Sequence, residues 1–251
     1  MRVSAGVVPN FFTMANMFCG YLSVMQSAQG KFVTAAWLII AAGVLDMLDG
    51  KLARLTNATS DFGVQYDSLA DVTSFGLATS ALAYFSFFHR WGIIGILLSF
   101  LPLVFGSIRL ARFNVDALGE TRKSYFEGLP IPAAAVTLAT FVIYNMEYWQ
   151  QIRWIKVFLM LMILVSLLMI STVRYEKMPE FSFHADRTTR WKILLVLLAV
   201  LSIILFPQEL FLPWCLVYVF SGPIRLIVRV LFPRPEKEIP QTEREPNESS
   251  G

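Results

Sequence analysis

The chain has 251 residues, of which 56% are hydrophobic and only 16% charged, with a mean hydropathy of +0.58. Soluble domains run at roughly 45–50% apolar and about 25% charged residues, so the composition excludes an ordinary soluble domain and points to a chain that crosses a membrane several times. The net charge is +3 and there are two cysteines, too few for a disulfide framework, and no nucleic-acid partner is expected.

Eight apolar segments follow in chain order, at about 11–28, 32–55, 63–88, 91–112, 130–148, 152–173, 191–206 and 209–231. A helix needs about 20 residues at 1.5 Å each to cross a hydrocarbon core of about 30 Å. The segments therefore predict an all-α polytopic bundle of about eight spans, with 191–206 the shortest. No cleavable signal peptide is evident before the first segment. Cys19 and Cys215 fall inside apolar segments and read as packing residues. The longest connections are about 113–129 and 174–190, rich in Arg, Lys and turn formers. Residues 234–251 are polar, charged and Pro-containing, and predict a disordered tail.

With the N-terminus in the cytoplasm and eight crossings, every Lys and Arg except Lys31, Arg90, Arg153 and Lys156 falls on the cytoplasmic side. That asymmetry sets the orientation and predicts both termini to be cytoplasmic.

One stretch breaks the apolar pattern. Asp46 and Asp49 stand near the end of the second segment, and Asp67 and Asp71 inside the third. A charge deep in a bilayer costs at least about 2.5–3.5 kcal/mol. Asp46, Asp49, Gly50 and Ala53 are spaced i, i+3, i+4, i+7 and share one helix face, as do Gly63, Asp67 and Asp71 at i, i+4, i+8. The polar connection between the two helices is short, which predicts antiparallel neighbours. Asp49 then lies level with Asp67, and Asp46 with Asp71, about a turn deeper. Four carboxylates should converge near the cytoplasmic face. They cannot all stay ionised side by side at low dielectric, so either some protonate or cations bind. All-oxygen ligands without Cys or His suit Mg²⁺ or Mn²⁺, with Ca²⁺ also compatible. Two such ions suit a pyrophosphate and an in-line phosphoryl displacement. The small residues on the same faces leave room for a bulky ligand.

The stretch DMLDGKLARLTNATSDFGVQYDSLAD, residues 46–71, fits the signature D-x2-D-G-x2-A-R-x8-G-x3-D-x3-D without departure. It resembles the CDP-alcohol phosphotransferases. That resemblance implies a six-helix catalytic core, here residues 1–173, followed by a C-terminal pair of spans at 174–233 and the tail at 234–251. It implies two divalent ions held by Asp46, Asp49, Asp67 and Asp71, with Asp71 as general base. A nucleotide would lie against Gly50, Ala53, Arg54 and Gly63.

PNFFTMANMFCG (9–20), RLARFNV (109–115), FEGLPIPAAA (126–135) and YVFSGP (218–223) further resemble the integral-membrane phosphatidylserine synthases of bacteria and archaea. The resemblance implies CDP-diacylglycerol and L-serine as substrates, a location in a prokaryotic cytoplasmic membrane with a cytoplasmic site, and a homodimer. Glycerol 3-phosphate and inositol phosphate are the alternative acceptors in related enzymes. Arg109 and Arg112, three apart at the cytoplasmic end of the fourth segment, are candidates for the serine carboxylate, against a role in anchoring. Thr13 and Asn16 in the first segment are candidates for a substrate contact or for a helix–helix hydrogen bond. The rival class is a divalent cation transporter, whose site is expected near the midplane with repeat symmetry; these acids lie near one face, and no repeat is evident.

Overall fold

The computed structural model describes residues 7–55, 60–117, 125–176 and 187–232. The tail 234–251 and the centres of both long connections lie outside the described residues. The architecture is all-α. Helices α1 (Val7–Ala28), α2 (Phe32–Leu55), α3 (Asp61–Asp71), α4 (Ala78–Ala83), α5 (Gly92–Ser99), α6 (Leu101–Ala117), α7 (Ile131–Trp149), α8 (Ile155–Ile170), α9 (Arg187–Leu205) and α10 (Pro207–Leu231) cover all eight apolar segments. The sixth segment is shorter than its hydropathy suggests, and α9 begins earlier than expected. The two long connections contribute a short antiparallel ladder. It joins β1 (Tyr125–Glu127) to β2 (Arg174–Glu176), with Phe126 opposite Tyr175.

Among the described residues, Phe32–Ala53, Phe62–Asp116 and Pro207–Val228 are helical stretches long and apolar enough to cross a membrane, and Ile155–Ile170 and Val196–Leu205 are shorter apolar helices. The middle stretch has 55 residues. At 1.5 Å per residue it would be about 80 Å long if straight, far more than one crossing needs. It is not straight. A 3₁₀ turn at His89–Trp91 leads into Gly92 at φ +57°, and the chain doubles back. Ser80 Oγ accepts from the Leu103 backbone N–H at 3.2 Å, and Ser68 meets Asn114. Their antiparallel register centres on residue 91, so α6 lies beside the helix that carries Asp67 and Asp71.

Two π-helical turns interrupt the first arm of this hairpin, at Val72–Leu77 directly after Asp71 and at Tyr84–Phe88. Single π turns inside α-helices occur frequently at functional sites. The core runs through the middle of the bundle, with Ile39, Phe75, Leu82, Leu138, Val142, Phe158 and Met162 all buried. Phe87 stacks on Phe158 with ring centroids 4.0 Å apart. On α1 the large residues Phe11, Met14, Phe18, Tyr21 and Met25 point outward, at the 3.6-residue spacing of one helix face. In a membrane that stripe faces lipid.

Candidate active site

Three elements bring the acids together. α1 packs along α2 and lies against α3 and the π turn that follows it, a turn that α2 also touches. The side chain of Ser60 caps α3, accepting from the Gly63 backbone N–H at 3.0 Å, which satisfies one of the orphan donors of a helix N-terminus. That cap fixes where the helix starts and therefore which face carries Asp67 and Asp71.

Carboxylate oxygens of Asp46, Asp49 and Asp67 all lie within 4.8 Å of one another. Asp49 is only 4% exposed. Thr13 Oγ1 of α1 donates to its Oδ2 at 2.9 Å, and the Gly50 backbone N–H also bonds to it. Asp71 stands one turn beyond Asp67, outside the group of three but close enough to feel the charges of Asp46, Asp67, Asp49 and Arg109. Oδ1 of Asp67 and Oδ1 of Asp71 are buried and have no hydrogen-bond partner among the described residues. A buried carboxylate oxygen without a donor is costly. The three clustered carboxylates, with the orphaned Oδ1 of Asp67 among them, form a donor set that could hold a metal ion.

The structure treats the other sequence candidates unequally. Gly50 is open, and a Cβ built there would meet nothing within 4 Å. Gly63 is nearly so, with only Ser60 Oγ at 3.2 Å. Ala53 is half-buried on the same face of α2. The side chain of Arg54 lies outside the described part of the structure. Arg109 is 9% exposed, and its Nε has no partner among the described residues. It lies near Asp71. Arg112 is engaged elsewhere. Its Nη2 donates to Glu127 Oε2 at 3.2 Å and its Nη1 to the Ile170 carbonyl at 3.2 Å. It therefore ties α6 to β1 and to the end of α8. Thr13 makes an interhelical bond, and its acceptor is a residue of the acidic cluster itself. The Asn16 amide is fully buried with neither Oδ1 nor Nδ2 partnered among the described residues. Its backbone carbonyl accepts from Ser74 Oγ in the π turn at 3.0 Å. One turn on, a Cβ at Gly20 would sit 2.6 Å from Ser74 Cα. Only glycine there lets α1 press its backbone against the turn that follows Asp71.

Two contributors were not singled out from sequence. Asn114 Nδ2 donates to Ser68 Oγ at 2.9 Å, locking α6 beside α3. Ser74 holds α1 to the π turn. A polar residue in an apolar helix is the signal that could have flagged either one.

A pair of apolar helices therefore presents converging aspartates, three of which could hold a metal ion, beside an open glycine. The chain belongs to the CDP-alcohol phosphatidyltransferase family, whose model matches residues 6–162, and its apolar helices are those of an integral membrane protein. Its similarity extends well beyond those residues. It is 40% identical over 232 residues to the CDP-diacylglycerol–serine O-phosphatidyltransferase of Helicobacter pylori, covering 89% of this chain and 94% of that one. It is 38% identical over 172 residues to the archaetidylserine synthase of Methanothermobacter thermautotrophicus, covering 68% and 70%. To the Methanocaldococcus jannaschii protein described as CDP-diacylglycerol–serine O-phosphatidyltransferase it is 33% identical over 223 residues, covering 88% and 94%.

Proposed function

We propose that this protein transfers the phosphatidyl group of CDP-diacylglycerol to the hydroxyl of L-serine, giving phosphatidylserine and CMP. The observation that carries the reading is the set of converging aspartates with orphaned oxygens beside an open glycine. The serine-transferring relatives supply the acceptor. Asp46, Asp49, Asp67 and Asp71 would hold two divalent cations, Mg²⁺ or Mn²⁺, which when bound neutralise the pyrophosphate and the charge building on the departing CMP.

The chain's own residues do the rest. The face bearing Gly50, Ala53 and Gly63 admits the cytidine against backbone. Asp71 takes the proton of the serine hydroxyl as its oxygen attacks the phosphorus that carries the diacylglycerol. The bond from that phosphorus to the bridging oxygen of CMP breaks, and CMP leaves with the electron pair. Arg109 binds the serine carboxylate, for which a planar guanidinium is suited. Arg112, already paired, serves to hold the loop. Large apolar side chains beside the acids, Met47, Leu48, Val64 and Leu69, are exposed and suit lipid tails arriving sideways.

The same reading carries eight crossings, with a core at 1–173, a C-terminal pair at 174–233 and a cytoplasmic tail at 234–251. Both termini and the site lie on the cytoplasmic side, the enzyme sits in a prokaryotic cytoplasmic membrane, and it forms a homodimer. The Lys and Arg asymmetry supports the orientation.

The acceptor is tested with purified protein, CDP-diacylglycerol, Mn²⁺ and a panel of labelled acceptors. Serine should give labelled lipid in preference to glycerol 3-phosphate and inositol phosphate. Preference for either phosphate would contradict the reading.

Two further results are expected. Gly50→Leu should leave insertion and folding intact, since the new side chain meets open space, but should weaken CDP binding at least about tenfold, equivalent to about 1.4 kcal/mol. Wild-type CDP affinity in that variant would place the nucleotide elsewhere. Thr13→Val removes the donor that orients Asp49. Outer-shell partners of this kind are worth about 10- to 100-fold in metal affinity, so a Mn²⁺ titration should show a loss in that range, recovered in Thr13→Ser. An unchanged Mn²⁺ titration would make the Thr13 bond a packing feature only.

A further inference from the structure

Asn16 of α1 is 0% exposed, and neither Oδ1 nor Nδ2 of its amide has a hydrogen-bond partner among the described residues. A primary amide carries donors and an acceptor that all need partners once buried. Leaving them unmet is costly, and an apolar side chain of similar shape would fill the space without that cost. Such an amide is kept for a group that arrives after folding.

Its neighbours show where that group sits. Thr13, Asn16 and Gly20 are spaced i, i+3, i+7 and share one face of α1. The two residues that flank Asn16 on this face have fixed directions. Thr13 Oγ1 donates to Asp49 Oδ2 at 2.9 Å, and a Cβ on Gly20 would lie 2.6 Å from Ser74 Cα. The Asn16 side chain therefore projects into the seam between α2 and the helix that carries Asp67 and Asp71. Register gives its depth. α1 and α2 run antiparallel, pinned by the Thr13–Asp49 bond and by Ser23 Oγ, which donates to the Ala35 carbonyl at 2.9 Å. One turn on from Thr13 in α1 is Asn16, and one turn back from Asp49 in α2 is Asp46, so the two are level. Across the seam the Asn16 carbonyl accepts from Ser74 Oγ at 3.0 Å, and Ser74 follows Asp71 by about a turn. The amide thus lies at the deep end of the acid cluster, with Asp46 on one side and the Asp71 helix on the other.

The ionised acids there can only accept hydrogen bonds, so they leave the amide oxygen unmet. Mg²⁺ and Mn²⁺ prefer an octahedral shell of oxygens, and a neutral amide oxygen is a suitable member of it beside carboxylates. We propose that Asn16 is a fifth protein ligand of the metal centre, its Oδ1 joining Asp46 and Asp71 on the deeper cation. The inference rests on the aspartates holding divalent cations.

A Mn²⁺ titration of the purified full-length protein tests it, read from the paramagnetic resonance of free Mn²⁺ with neither CDP-diacylglycerol nor serine present. Asn16→Leu should weaken one class of Mn²⁺ site at least about tenfold. Its thermal midpoint in excess chelator should equal or exceed that of wild type, because an apolar side chain replaces an unpartnered buried amide. Asn16→Ala should lose Mn²⁺ affinity in the same way and guards against the larger leucine failing to fold. Asn16→Asp, which keeps an oxygen in place, should bind Mn²⁺ at least as tightly as wild type. Unchanged Mn²⁺ binding in the leucine and alanine variants, or weakened binding in Asn16→Asp, would overturn the inference. A lowered midpoint in chelator with Mn²⁺ binding intact would make Asn16 a packing residue and overturn it as well. If wild type binds Mn²⁺ and the variants bind it equally, only this inference falls. If wild type takes up no Mn²⁺, the cation reading falls with it.

Discussion

Replacing Asp71 with asparagine should lower CMP release from CDP-diacylglycerol and serine by about a thousandfold, with CDP binding nearly unchanged. General-base catalysis contributes about 10²–10⁴ to rate, and asparagine keeps the shape of the side chain while losing its basicity. The geometry distinguishes this residue from the other three acids. Asp71 stands outside the group of carboxylates that lie within 4.8 Å of one another. It is 7% exposed, with Oδ1 unpartnered among the described residues. It is also the acid within electrostatic reach of Arg109, where the acceptor should lie. Single-turnover CMP release together with a CDP binding isotherm checks both halves. If Asp71→Asn loses CDP binding as severely as it loses turnover, the residue is chiefly a metal ligand and the base lies elsewhere.

Asp49→Asn should behave differently, with metal affinity and CDP affinity falling together, each by about a hundredfold or more. Asp49 is the most buried of the four acids and the only one with a described side-chain donor from another helix, Thr13 at 2.9 Å. A carboxylate bonded in this way is preorganised, and converting it to an amide replaces an anionic ligand with a neutral one. The loss should appear first in a Mn²⁺ titration and then, through the missing ions, in nucleotide binding. An Asp49→Asn protein that binds Mn²⁺ normally but turns over slowly would exchange the roles assigned to Asp49 and Asp71.

Much of this was legible in the sequence for a physical reason. Acids inside apolar helices have few alternatives to a shared site, and helical spacing with a short connection fixes their depth. That argument places all four aspartates together; Asp46, Asp49 and Asp67 lie within 4.8 Å of one another, while Asp71 stands outside that group. It could not separate Arg109 from Arg112. Three residues apart, the two share a helix face, and which of them is spent depends on how the connection after α6 folds back to present Glu127. The β1–β2 ladder was read as loop because three residues per strand are too few to show a period of two. The π turn after Asp71 was also hidden, since apolar periodicity does not distinguish an α turn from a π turn inside a buried helix. Asn114 and Ser74 left a weak trace, as polar residues in apolar helices, without indicating their partners.

The central claim is that the converging aspartates act through divalent cations in transfer to serine. It is tested most directly by following CMP release from CDP-diacylglycerol and L-serine in purified protein, first in excess chelator and then after Mg²⁺ or Mn²⁺ is added back. The account predicts no release in chelator and recovery of the full rate on adding either ion. An undiminished rate in chelator would contradict it.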